Sequence, residues 1–179
     1  MSLKGNLILF LFLPSVGIVF YYLGNKFREG VKKSFLNLVI IFFILLDQLI
    51  KLICFNIKKV GIVPVKNEVY STFNQIFNMN INILSLIVIN LILIAISIWG
   101  YKIHVKAYGK SLWSDLFIVF ICSGLICSLL DKVFWKGSID FIHFSNLIIF
   151  DFKDVYLIMS IFLLIFEMIL NENIDIFTK

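Results

Sequence analysis

Apolar residues in this chain come in long runs, and the lysines gather in the short segments between them instead of forming a stripe on an amphipathic face. Five runs, at residues 7–23, 35–54, 81–99, 112–130 and 154–170, are long enough to cross a hydrocarbon layer about 30 Å thick at about 1.5 Å per helical residue. The pattern predicts an all-α integral membrane protein, a helical bundle of about five transmembrane helices. Residues 55–80 break it: Val60-Gly61-Ile62-Val63-Pro64-Val65 is β-branched and interrupted by glycine and proline. That segment reads as a small extracytoplasmic β-like platform. Its aromatics Phe55, Tyr70, Phe73 and Phe77 suit either the headgroup level or packing on the helix ends.

Basic loops set the orientation. Residues 25–34 carry Lys26, Arg28, Lys32 and Lys33, and residues 100–111 carry Lys102, Lys106 and Lys110, so the positive-inside rule puts both in the cytoplasm. Segments 55–80 and 131–153 then lie outside, although they also carry lysines, and an inverted topology stays open. The first run has one basic residue, Lys4, ahead of it and no small-x-small cleavage site, which favours an uncleaved anchor over a signal peptide.

Composition agrees with a lipid environment. Hydrophobic residues are 61% of the chain and charged residues 15%, with a mean hydropathy of +1.02, more than a soluble core of this size needs. The net charge of +5 is explained by topology and gives no stripe for nucleic acid. Cys54, Cys122 and Cys127 have neither disulfide nor zinc spacing and read as small apolar packers.

An ionisable residue near a span is costly and asks for a reason. Asp47, Asp131, Asp140, Asp151 and Asp154 all fall at one face of the expected bundle. Singly, each suits a solvated helix end; Asp47 and Lys51 are four apart and so share a helix face, and Asp154 in a first turn suits the helix dipole. Their convergence is what points to chemistry. His104 and His143 read as solvated loop residues, and neither His-Glu-x-x-His nor Gly-x-Ser-x-Gly occurs, so no metal site is expected.

In order along the chain these residues resemble the motifs of bacterial lipoprotein signal peptidase, or signal peptidase II. Asp47-Gln48-Leu49-Ile50-Lys51 stands for Asp-Gln-x-x-Lys. Asn67-Glu68-Val69-Tyr70-Ser71-Thr72 stands for Asn-x-Gly-x-(Ala/Ser)-Phe, keeping Asn67 and Ser71. The stretch from Ser123 to Lys132 stands for Gly-Gly-x-x-Gly-Asn-x-x-Asp-Arg, keeping Gly124 and Asp131, with Ser128 for the Asn and Lys132 for the Arg. Gly137-Ser138-Ile139-Asp140-Phe141 stands for Gly-x-Val-x-Asp-Phe with one position fewer, the glycine three positions before the acid, and Phe150-Asp151-Phe152-Lys153-Asp154 stands for Phe-Asn-x-Ala-Asp. Ser123 and Cys127 replace glycines of close helix approach, Lys132 loses a bidentate fork, and Asp151 adds a third acid that Lys153 can neutralise.

The resemblance implies a four-helix peptidase core at residues 34–172, preceded by an extra anchor and basic loop at 1–33 and followed by a tail at 173–179. It implies Asp140 and Asp154 as the catalytic pair, Asp47, Lys51, Asn67, Asp131 and Lys132 as substrate-binding, and Gln48, Ser128, Gly137 and Asp151 as supporting residues. The implied partners are diacylglyceryl-modified prolipoprotein signal peptides, cut on the amino side of the lipidated cysteine, and membrane lipids. No cofactor, metal or nucleic acid is expected. The protein is expected to act as a monomer in the bacterial inner membrane, with its site near the outer face. Alternatives from other classes are a Ser/Lys protease using Ser71 or Ser138 near Lys132, a paralogue that binds lipoprotein signal helices without cutting them, and a transporter component with acids along an ion path.

Overall fold

The structure is a computed structural model that describes residues 30–56, 65–67, 82–144, 148–171 and 174. Four helices carry it: α1 (Lys33–Asn56), α2 (Ile83–Tyr108), α3 (Leu112–Leu130) and α4 (Phe152–Leu170). Four short strands lie between them: β1 (Val65–Asn67), β2 (Ser138–Asp140), β3 (Ile142–Phe144) and β4 (Ile148–Phe150).

The expectation of about five transmembrane helices is corrected. Among the described residues there are four helices, and three of them, α1, α2 and α3 with the turn that follows it, are long and apolar enough to cross a membrane. The fourth, α4, carries Lys153, Asp154 and Glu167 within its 19 residues, which an unbroken apolar span does not tolerate. The first apolar run, 7–23, lies outside the described residues. α2 also runs on through what reads as a basic loop and ends at Tyr108, so the α2–α3 connection shrinks to residues 109–111. Gly109 makes that short turn at φ 85°, where a side chain is strained, and Ser111 caps α3 through a reciprocal capping box with Ser114.

α3 is the hub, packing on α1, α2 and α4. Half of its apolar stretch (50%) is buried, against 11% for α1 and for α2, so those two turn most of their leucines and isoleucines outward to lipid. Phe43, Phe120 and Tyr156 bring α1, α3 and α4 together, with ring centroids 5.0–6.0 Å apart. At its end α3 widens into a π-helical turn, Asp131–Trp135, closed by Lys136 in the left-handed region. Insertions of this kind re-aim side chains and often accompany sites.

The strands form two small antiparallel pairs. β1 pairs with β2, Asn67 opposite Ser138 and Val65 opposite Asp140. β3 pairs with β4, Ile142 opposite Phe150, and the Phe141 N–H donates to Phe150 O at 3.3 Å. This hairpin folds the chain after Asp140 back onto the residues that start α4. Of the segment read as a platform, only Val65–Asn67 is described beyond residues 55 and 56, which finish α1.

Candidate active site

One helical turn separates Asp47 from Lys51 on α1, and the Lys51 ammonium meets the Asp47 carboxylate at 2.7 Å. The π-turn and the α4 cap supply two further acids: the same nitrogen lies 2.7 Å from Asp131 and 2.8 Å from Asp151. All four groups are buried, Lys51, Asp47 and Asp151 with no exposure at all. Gln48 fills the gap beside them, its amide nitrogen donating to Asp47 at 3.1 Å and to Asp131 at 3.3 Å. The Trp135 indole N–H donates to the Gln48 carbonyl oxygen at 3.2 Å, which fixes the orientation of the amide.

The other half of the cluster grows from the hairpin and the start of α4. Asp151 is the N-cap of α4; its carboxylate accepts the Asp154 N–H at 3.2 Å, and the Asp154 carboxylate accepts the Asp151 N–H at 3.3 Å. This capping box fixes Asp154 in the first turn. β2 brings Asp140 alongside, and one carboxylate oxygen from each of Asp140, Asp151 and Asp154 lies within 4.8 Å of the others. Lys153 stands among them, paired with Asp151 and 3.3 Å from Asp131 and 3.7 Å from Asp140.

These surroundings push neighbouring acids apart in acidity. Burial pushes the Asp154 carboxyl up to about 6, and repulsion from Asp151 and Asp140 adds to the rise against the pull of Lys153. Burial also works on Asp151, but Lys153 and Lys51 outweigh it and hold that carboxyl below its ordinary value. An acid held above its ordinary value beside one held below it is an asymmetry suited to proton transfer.

The sequence-predicted residues divide. Asp47, Gln48, Lys51, Asp131, Asp140, Asp151 and Asp154 come together in one cluster. Lys132 does not join Asp131: its ammonium donates to Ser128 Oγ at 2.7 Å and to Ser128 O at 3.2 Å, and Asn90 of α2 donates to the same hydroxyl at 3.3 Å. Gly137 is buried just before β2, its N–H reaching Asp131 O at 3.5 Å. Asn67 is in β1 by its backbone, and its side chain lies outside the described residues. Ser123 and Cys127 are fully buried in α3, and among the described residues the Ser123 hydroxyl has no hydrogen-bond partner.

Sequence reasoning missed three things. Ser138, expected near Lys132, sits instead against Asp140 and Lys153, a contact between β2 and the first turn of α4 that the order of residues does not reveal. Lys153 bridges several acids instead of merely neutralising Asp151. At the far end of the bundle, His104 is no solvated loop residue: it lies in α2 and contacts Glu167 at 2.6 Å, and Glu167, 1% exposed, also accepts from Ser111 and from Asn171.

The family model described as signal peptidase (SPase) II matches residues 39–170. A solved bacterial membrane enzyme, determined by the in meso method, is 17% identical, with a TM-score of 0.67 over 85% of this chain and 98% of that one. At that identity the likeness concerns the fold. No curated protein matches.

Proposed function

We propose a mechanism that proceeds from one premise: the chain belongs to the signal peptidase II family. It is an intramembrane aspartic protease that removes signal peptides from lipoproteins. In our reading Asp140 and Asp154 are the catalytic pair, and the observation that carries this is the approach of their carboxylates to within 4.8 Å across the β2–α4 junction.

Two carboxyl groups that close share a proton more readily than they both ionise. One takes a proton from water as the water oxygen joins the scissile carbonyl carbon; the other gives its proton to the carbonyl oxygen. The amine then leaves with the proton first taken from water. Lys51, Asp47, Asp131 and Asp151, with Gln48 beside them, form a frame that holds the α1, α3 and α4 ends at fixed spacing, so that the pair is preorganised.

The substrate class in this reading is a diacylglyceryl-modified prolipoprotein, cut on the amino side of the lipidated cysteine. Its signal helix lies against the lipid-facing helices. Each buried methylene of its acyl chains adds about 0.8 kcal/mol of binding. The protein works from the bacterial inner membrane with the acid cluster toward the outer face. The Ser/Lys alternative loses ground because Lys153, the lysine found against Ser138, is held by three acids and is thereby kept charged, not free to accept a proton. The test is processing of a prolipoprotein in a bacterium depleted of its own enzyme: the parent chain restores cleavage, and Asp140→Asn and Asp154→Asn lose at least about a thousandfold. Cleavage at parental rate by either variant would remove the pair from the mechanism.

A further inference from the structure

Ser138 and Lys153 stand beside the catalytic pair in an order that donor chemistry dictates. The Lys153 ammonium lies 2.5 Å from Ser138 Oγ, and Ser138 Oγ lies 2.6 Å from Asp140 Oδ1. An ammonium only donates, so the serine oxygen is the acceptor in the first contact and its one proton is directed elsewhere. Two carboxylates compete for that proton, Asp140 at 2.6 Å and Asp151 at 3.5 Å, and the shorter contact takes it. Asp140 therefore ends a donor chain that starts on a cation, with that cation 3.7 Å from the same carboxylate oxygen.

Asp154 lacks such a chain: Lys153 attracts it as well, but among the described residues no side-chain donor ends on its carboxylate. Its side chain accepts the Asp151 N–H, and among the described residues no lysine, arginine or histidine nitrogen lies within ion-pairing distance of it. The remaining charges around the pair answer one another: Asp47 and Lys51 of α1 with Asp131 of the π-turn and with Asp151, while Lys132 turns to Ser128.

We propose that Ser138 and Lys153 are positioning residues that aim a hydrogen bond and a positive charge at the Asp140 carboxylate, making Asp140 the proton acceptor of the pair and Asp154 the proton donor. The assignment rests on the aspartyl-pair reading above. A hydrogen bond donated to the charged form and a nearby cation both favour a carboxylate. The Asp140 carboxylate takes a proton from water as the oxygen–carbon bond forms, and Asp154 gives its proton to the carbonyl oxygen. As the carbon–nitrogen bond breaks, Asp140 passes its proton to the amine and Asp154 recovers a proton from the hydroxyl of the intermediate. Both groups return to their starting states.

Asp151 brings the counter-charge for Lys153, so the two are removable together. Asn caps a helix as well as Asp does, and Asp151→Asn with Lys153→Ala takes away the cation without leaving its acid alone. The experiment measures kcat/KM against pH for the full chain in lipid nanodiscs, using a synthetic diacylated prolipoprotein peptide. The parent is compared with Ser138→Ala, Ser138→Thr and the Asp151→Asn/Lys153→Ala double variant. The acidic limb reports the free enzyme's base. We expect it to move up by about one pH unit in Ser138→Ala and in the double variant, so that rates on that limb fall about tenfold. It should stay in place in Ser138→Thr, which keeps the hydroxyl.

An acidic limb that moves by less than about 0.3 unit in Ser138→Ala overturns the assignment, and this single-atom deletion decides the matter if the double variant does not fold. Asp140→Asn and Asp154→Asn are measured alongside. Activity in those two would overturn the underlying pair, whereas their inactivity with an unmoved limb would overturn only the roles of Ser138 and Lys153.

Discussion

A buried ammonium with three carboxylates within 2.8 Å persists only when every charge is answered, because desolvating ions costs several kcal/mol each. Lys51 answers Asp47, Asp131 and Asp151 at once, from three separate parts of the chain. Removing it leaves three buried acids facing each other with Lys153 as the nearest remaining cation. Lys51→Met should therefore lower stability by about 3–5 kcal/mol, the range found when one partner of a buried pair is deleted. Lys51→Arg keeps the charge but puts a planar fork where three acceptors surround a compact ammonium. Its loss should be smaller. Thermal unfolding of the detergent-solubilised variants checks this, and a Lys51→Met protein as stable as the parent would show that the acids find other counter-charges.

At the scale of elements, the site depends on how closely α3 and α4 approach. Gly124 is the contact point: a Cβ there would lie 2.8 Å from both Cγ and Cδ2 of Leu157 and 3.2 Å from the Lys153 carbonyl oxygen. Two of these atoms belong to the branch point of a packed leucine and its methyl, and the third to backbone, so α4 has to move. Over-packing of this kind costs about 1–3 kcal/mol. α4 is held at its far end by Glu167, which is tied to His104 of α2 and to Ser111 at the start of α3, so the displacement falls on the first turn, which carries Asp154. Gly124→Ala should lower cleavage per folded molecule by about tenfold or more, since a misplacement near 1 Å is enough for a larger loss. Cleavage rates normalised to folded protein from size-exclusion chromatography measure it. A normal rate per folded molecule would mean that Leu157 rotates away and α4 stays.

Across the whole molecule, charge sits in two buried clusters. Asp154 and Glu167, one in each, are about 20 Å apart along α4 at 1.5 Å per residue, which is less than the roughly 30 Å of a hydrocarbon layer. Both clusters cannot lie in the headgroups, and this explains which parts of the protein were legible in its sequence. The Asp47–Lys51 pair was legible because four-residue spacing fixes a helix face. The gathering of acids at one end followed from the order of apolar runs. The Lys51–Asp131 contact, the Ser138–Lys153 relay and the Glu167–His104 tie were not legible, because each needs a packing distance or a hairpin register between residues far apart in the chain. Reading single charges as solvated caps fails when they are answered inside the bundle. The ends themselves differ: Lys110 and Val31 meet Asp115 at the end opposite the proposed catalytic pair, which joins the two basic loops at one face. In the proposed orientation, positive-inside bias puts that face in the cytoplasm and the acid cluster outside. In a Cys54→Ser background, where the remaining Cys122 and Cys127 are buried, a cysteine at exposed Lys136 should react with a membrane-impermeant maleimide added to intact spheroplasts, and one at exposed Lys106 should react only after lysis. The reverse pattern would turn the molecule over, place the carboxylates on the cytoplasmic side, and require the lipoprotein to be cut before it crosses.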